Sequence, residues 1–166
     1  VLALGIDPGT ASTGYGLVRI APDSSLTLVD FGVIRTASGD PMPIRLKTLH
    51  EAITGILQQH QPETSAVEKL FFQRNVTTAI SVGQARGVAL LALAEFGIQV
   101  GEYSPLEIKQ AVVGYGGADK RQVQLMVQRL LALDEKPTPD DAADGLAVAI
   151  CHLQVVRTEQ HYQDAE

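Results

Sequence analysis

The opening stretch, Leu2-Ala-Leu-Gly-Ile-Asp7-Pro8-Gly9, constrains the fold more than any other part of the chain. Leu2, Leu4 and Ile6 alternate with small residues, the pattern of a buried strand. The strand delivers Asp7 at its C-terminal end, and Pro8-Gly9 then turns the chain. A carboxylate at the end of an apolar strand is costly unless a metal, a cation or hydrogen-bond donors compensate it. Asp7 therefore has two readings. It is a turn residue bonded to the backbone of Gly9 or Thr10, or it is one member of an acidic site that Glu68, Asp141 and Asp144 complete.

The following residues predict a sheet with crossing helices. Residues 13–20 read as a second strand, with Gly14 and Gly16 on one side, which suits close approach of a ligand or of another segment. After the turn at 21–25, residues 26–34 form a third strand, and short turns make the three an antiparallel meander. Leu46, Leu49, Ile53 and Ile56 follow helical spacing over 44–59. Ser65-Ala-Val-Glu68 is then a fourth strand, and a strand after a crossover helix is expected to lie parallel to a neighbour. Set beside the first strand, it brings Glu68 to the same edge as Asp7.

A loop from Lys69 to Asn75 carries Phe71, Phe72 and Arg74. Asn75 or Thr77 caps a helix that runs to Phe96, and Ala79, Gly83 and Gly87 line one face of it at four-residue steps. Residues 97–103 predict a fifth strand. Ser104-Pro105 opens a short helix with Lys109 on it. Gly114-Tyr-Gly-Gly117 is a loop, and a helix with Val123, Met126, Val127 and Leu130 as its stripe covers 119–133. The last helix starts at Thr138-Pro139 and runs to Arg157. Residues 1–157 are thus expected to form a single domain, followed by a polar, frayed tail at 158–166.

Composition narrows the functional classes. The chain has 166 residues, a net charge of −6 and a single cysteine. An acidic chain, with pI about 5.1, is not one coated in positive charge for nucleic acid. Yet between Lys69 and Arg121 six cations face four acids, which leaves room for a basic groove beside an acidic pocket. Cys151 rules out an intrachain disulfide, fits a reducing compartment, and reads as a buried core side chain. The histidines lack zinc-ligand spacing. The longest apolar run, Val88 to Ala94, stops at Glu95 and is too short to span a bilayer, so a cytoplasmic location without a membrane is expected.

The late acids carry the chemistry. Asp140 and Asp141 suit the positive end of a helix. Asp144 lies one turn on, in Ala142-Ala-Asp-Gly-Leu-Ala-Val-Ala-Ile-Cys151, a segment apolar on nearly every face and expected to be buried. Asp141 and Asp144 share a face and repel each other. A divalent cation turns that repulsion into binding, because Mg²⁺ and Mn²⁺ prefer carboxylate oxygens. Four acids around two ions suit in-line displacement at phosphorus, one ion activating water and the other stabilising the leaving oxygen.

In combination, Gly5-Ile-Asp-Pro-Gly9, the Glu68 strand, Gly83-Gln-Ala-Arg-Gly87, Ile108-Lys-Gln-Ala-Val-Val-Gly-Tyr-Gly117 and Asp141-Ala-Ala-Asp-Gly-Leu-Ala147 resemble the RuvC-type Holliday-junction resolvases, in order and over almost the whole chain. The resemblance implies an RNase H-like α/β fold, a five-stranded mixed sheet flanked by α-helices. It implies a homodimer that nicks a four-way DNA junction symmetrically, leaving 5′-phosphate and 3′-hydroxyl ends, and two-fold symmetry suits that task. Asp7, Glu68, Asp141 and Asp144 fall on the family's catalytic and metal-binding acids, with two Mg²⁺ per site, Mn²⁺ as a substitute and Asp7 bridging the ions. Lys109 and Lys120 fall on lysines implicated in phosphate contact and activity, and Phe71 on an aromatic thought to stack at the opened junction centre. Arg74 and Arg121 are further DNA-binding candidates. The resemblance also implies partnership with a junction-binding and branch-migration complex of the RuvA and RuvB type. Three rivals stand beside it: a sugar-kinase, actin or Hsp70-like ATPase, for which the chain is too short; a non-catalytic junction binder; and an RNase H-like nuclease acting on another nucleic acid.

Overall fold

The structure, a computed structural model, describes residues 1–70 and 75–163. Five strands, β1 (Leu2–Asp7), β2 (Ser12–Ile20), β3 (Leu26–Arg35), β4 (Thr64–Glu68) and β5 (Val100–Tyr103), form one sheet in the order β3-β2-β1-β4-β5. The first three are an antiparallel meander, while β4 lies parallel to β1 and β5 parallel to β4. The register pairs Ile6 with Val67. Asp7 and Glu68, each the next residue along, therefore emerge side by side at the same edge. This mixed five-stranded sheet is the one expected from the sequence.

Alternation in β1 divides the core into two. Leu2, Leu4 and Ile6 face α1 (Met42–His60) and α2 (Val76–Glu95), packing with Leu49, Ile53, Leu57, Ala89 and Leu93. Ala3, on the opposite face, packs under α5 (Asp140–Gln163), with α3 (Pro105–Val113) and α4 (Lys120–Leu130) beside it. The small side chains of that face let α5 come down onto the sheet. A Cβ added at Gly16 would stand 2.6 Å from Leu146 Cα, and one at Gly145 would stand 2.6 Å from Tyr15 Cα. A Cβ on Gly5 would overlap the backbone of Gly145 and Ala149, and one on Gly14 would overlap the Asp141 carbonyl. The close approach read from Gly14 and Gly16 is thus to another segment of the same chain.

Local chemistry fixes the helix ends. Asn75 caps α2 by accepting from the Thr77 and Thr78 amides. Ser104 and Glu107 form a reciprocal capping box on α3, and Asp119 with Gln122 forms another on α4. Gly97, at φ +75°, ends the α2 turn with its amide on Ala94, which delays β5 to Val100 rather than 97. The helix α5 continues to Gln163, past the Arg157 end expected from the sequence, so part of the tail read as frayed is helical. A buried polar link ties α5 to the sheet: the His152 ring bonds Thr64 Oγ1 at 2.6 Å and Tyr103 Oη at 2.8 Å. Burial pushes its pKa down to about 4, so the ring is neutral there. Cys151 is buried, as expected.

Two features of α2 stand out. Its Gly83 and Gly87 line is left open by the described residues, since a Cβ at Gly87 would meet nothing within 4 Å. The buried face is instead Ala85, Ala89, Ala92 and Leu93, while Val76, Ile80 and Leu91 are exposed. Second, α2 is one helix of 20 residues with a window mean hydropathy of 1.4, enough by length and composition to cross a bilayer. The uninterrupted apolar run understated this because Thr, Ser, Gly and a single Arg punctuate the helix without breaking it.

Substituting Gly16→Ala should destabilise the fold by ~2–3 kcal/mol, because the new methyl meets main chain that cannot step aside. Chemical denaturation of the purified variant checks this; a change under ~0.5 kcal/mol would show that α5 has room to move.

Candidate active site

Three elements deliver the acids. Strand β1 ends in Asp7, β4 ends in Glu68, and the first turns of α5 carry Asp141 and Asp144. Carboxylate oxygens of Asp7, Asp141 and Asp144 all lie within 4.8 Å of one another. Glu68 stands at the neighbouring strand end and lines the same cleft as Asp7 and Asp144. The structure thus brings the four acids expected from the sequence to one edge of the sheet, with Asp7 among them. Three of them, Asp7, Glu68 and Asp144, line a cleft of about 320 Å³ together with Lys109, Lys120 and Ile108.

Crowding shows in the protonation of the acids. Burial, followed by the charges of Glu68 and Asp144, pushes the Asp7 carboxyl up to about 9. Glu68 and Asp144 are also raised, in each case first by burial, and Lys120 holds Asp144 back from rising further. Acids so placed hold protons that a divalent cation would displace. The donor set fits such an ion: it is all hard carboxylate oxygen, with neither thiolate nor imidazole among the converging groups.

The surrounding residues sort the neighbours of the acids. Lys120 places its Nζ 3.2 Å from Asp144 Oδ2. Lys109, on α3, is half-buried and lines the cleft. Arg121 is exposed at the start of α4. Asp140 and Asp141 separate cleanly: Asp140 accepts from Gln124 Nε2 at 2.5 Å, while Asp141 accepts from Ser12 Oγ at 2.5 Å. Phe71, Phe72 and Arg74 lie outside the described residues. Sequence reasoning missed Ser12, which orients Asp141 from the first residue of β2. A hydroxyl just past the Pro8-Gly9 turn was the available signal, and only the fold reveals that α5 starts above it.

Comparison with known proteins agrees with this geometry. The family described as "Crossover junction endodeoxyribonuclease RuvC" matches residues 3–152. The chain is 56% identical over 160 residues to a crossover junction endodeoxyribonuclease RuvC of Chloroflexus aurantiacus, covering 96% of this chain and 97% of that protein. It is 57% identical over 164 residues to the corresponding protein of Moorella thermoacetica, covering 99% and 98%. Among solved structures, T. thermophilus RuvC in complex with Holliday junction substrate superposes with a TM-score of 0.90 at 37% identity, over 95% of this chain and 96% of that one. The yeast mitochondrial Holliday junction resolvase Ydc2 shares the fold, with a TM-score of 0.69 at 16% identity over 98% and 83%. With its acids gathered at the sheet edge and the family matched over residues 3–152, the chain belongs to the RuvC family of crossover junction endodeoxyribonucleases.

Proposed function

We propose that this chain resolves four-way DNA junctions by paired symmetric nicks, hydrolysing phosphodiesters to 5′-phosphate and 3′-hydroxyl ends with the help of divalent metal. The observation that carries the reading is the convergence of Asp7, Asp141 and Asp144 within 4.8 Å, beside Glu68, in a chain of this family. A pair of Mg²⁺ ions, or Mn²⁺ in their place, would be held by Asp7, Glu68, Asp141 and Asp144 and would supply Lewis acidity to the attacking water and the leaving oxygen. Asp7, with Asp141 and Asp144 oxygens within 4.8 Å and Glu68 on the adjacent strand end, would serve as the central ligand. Ser12 holds the Asp141 carboxylate in one orientation. Lys109 and Lys120 line the same cleft and offer ammonium groups to the phosphate being cut, with Arg121 further out along the backbone path. Lys120 meanwhile limits the repulsion among the acids through Asp144.

The homodimer belongs to this reading. Val76, Ile80 and Leu91 lie exposed along α2, with the open Gly87 between them, and such an apolar helix face suits a second copy of the chain. A two-fold pair would present two equal sites to the equivalent strands of a junction. A cytoplasmic setting and collaboration with RuvA- and RuvB-type proteins accompany the proposal through the family.

Cleavage of a labelled four-way junction beside a linear duplex of the same sequence tests the activity. In Mg²⁺ or Mn²⁺ the protein should make paired nicks in the junction alone. Asp7→Asn should lower the rate by ~10²-fold or more while junction binding persists; equal cutting of both DNAs would remove junction selectivity.

The raised acids give a separate test without DNA. A group whose folded-state pKa is raised contributes stability that is complete below its unfolded value and is lost as pH rises through the folded value. For Asp7 that window runs from 3.8 to about 9. In a chelator, Asp7→Asn should therefore be more stable than wild type at pH 8 by at least ~1 kcal/mol, and the gap should shrink toward pH 5. Mg²⁺ should raise the melting temperature of wild type more than that of the variant. Equal stabilities across this range in chelator would argue against the crowded-acid account.

Sedimentation equilibrium examines the α2 face. The wild-type mass should be twice the chain mass of 17.7 kDa, and Ile80→Glu should shift it to that of the monomer with the circular dichroism unchanged.

A further inference from the structure

Helix α2 carries only two charged residues, Arg86 and Glu95, in an otherwise apolar and small-residue sequence. Arg86 turns inward. Its Nε donates to the backbone carbonyl of Glu68 at 3.2 Å, and its Nη2 pairs with the carboxylate of Glu102 on β5. Its side chain is only 21% exposed, against 43% for Glu102. The carbonyl it takes belongs to the peptide that joins Glu68 to Lys69. The other end of that peptide, the Lys69 amide, donates to the Tyr103 carbonyl at 2.8 Å. Both polar ends of one peptide plane are thus held, one by β5 and one by α2. The plane sets ψ of Glu68, and with it the direction in which that residue leaves the sheet edge.

We infer that Arg86 is a positioning residue for Glu68, clamping the peptide plane after the acid so that its carboxylate meets Asp7. The inference rests on the reading of Glu68 as a working acid. It goes beyond that reading in giving a function to an arginine that touches neither the acids' carboxylates nor the cleft. Charge is not the main effect: the cations that act on the Glu68 carboxylate are Lys120 and Lys109. What Arg86 supplies is a planar fork that grips a carbonyl and a carboxylate at once, which a lysine cannot reproduce. A second tie from the same helix reinforces the frame, since Thr10 Oγ1 donates to the Ser81 carbonyl at 2.7 Å. Through Ser81 and Arg86, α2 holds both the turn after Asp7 and the strand end at Glu68. The same helix presents the exposed apolar face outward.

The test uses the full chain with Arg86→Gln, Arg86→Lys and Glu102→Gln. Glu95→Gln serves as a control, because it weakens a polar tie at the C-terminal end of α2, the 2.7 Å contact with His50. Single-turnover junction cleavage is followed across a Mg²⁺ titration, junction affinity is measured in Ca²⁺, and melting temperatures are recorded. Both Arg86 variants should cut ~10- to 100-fold more slowly at saturating junction and require more Mg²⁺ for half-maximal rate. Junction affinity should stay within about threefold, and the control should cut at the wild-type rate. Glu102→Gln should fall between, since it loosens the fork but leaves the carbonyl contact.

Unchanged rates and Mg²⁺ requirement in the Arg86 variants would overturn the inference. So would rates that simply follow melting temperature across all variants including the control, or a loss confined to junction affinity. Glu68→Gln is run in parallel to separate the two readings. If it cuts normally, the role of Glu68 itself is wrong; if it fails while the Arg86 variants cut normally, only the clamp is wrong.

Discussion

Everything at the acidic edge depends on how closely α5 lies on β1 and β2. An ordinary helix packed on a sheet is held off by side chains on both surfaces. Here Gly5, Gly14 and Gly16 on the strands meet Gly145 and the main chain around Asp141, Leu146 and Ala149. Backbone meets backbone, and the first turn of α5 is lowered to the level where β1 ends. Were α5 lifted by one methyl layer, Asp141 and Asp144 would stand away from Asp7 and the cleft would open. The buried apolar residues beneath α5 secure that position, and the His152 link to Thr64 and Tyr103 ties its later turns to β4 and β5.

That arrangement brings together groups that disfavour one another. Asp7, Glu68 and Asp144 all hold their protons beyond the usual range because burial withholds solvent from them. A core that served stability alone would not gather acids at a strand edge. The fold tolerates them because the scaffold around the site is rigid and apolar, and because Lys120 supplies one counter-charge. Crowding of this kind suits a site meant to meet a cation, whose positive charge relieves it.

Much of this was readable in the sequence, for reasons that differ by element. The meander followed from its short turns and the parallel β4 from one crossover helix, and the β1–β4 pairing then placed Glu68 beside Asp7. Asp144 was legible because an acid within an apolar helix has few innocent explanations. The helix boundaries at Asn75 and Ser104 were written in capping residues. Other features stayed hidden because they depend on tertiary neighbours. Nothing local says that Lys120 turns toward Asp144, that Ser12 lies under Asp141, or that Lys109 faces the cleft. The small residues of α2 illustrate the same limit: spacing revealed a flat face but not whether the chain itself or another surface covers it. At β5, Gly97 was spent on ending a helix, which periodicity cannot distinguish from starting a strand.

The order of the elements along the chain has a consequence for synthesis. Strands β1 to β5 all precede α5, so a chain emerging from its N-terminus makes the sheet before the helix that covers one face of it. Until α5 arrives, the Ala3, Val18 and Ala66 face has no lid, and Asp7 and Glu68 stand without Asp141 and Asp144. The half-made chain therefore cannot assemble its acidic site. The arrival of α5 closes the core and completes the set of acids in the same event, so a nascent chain that stops short of α5 lacks two of the four.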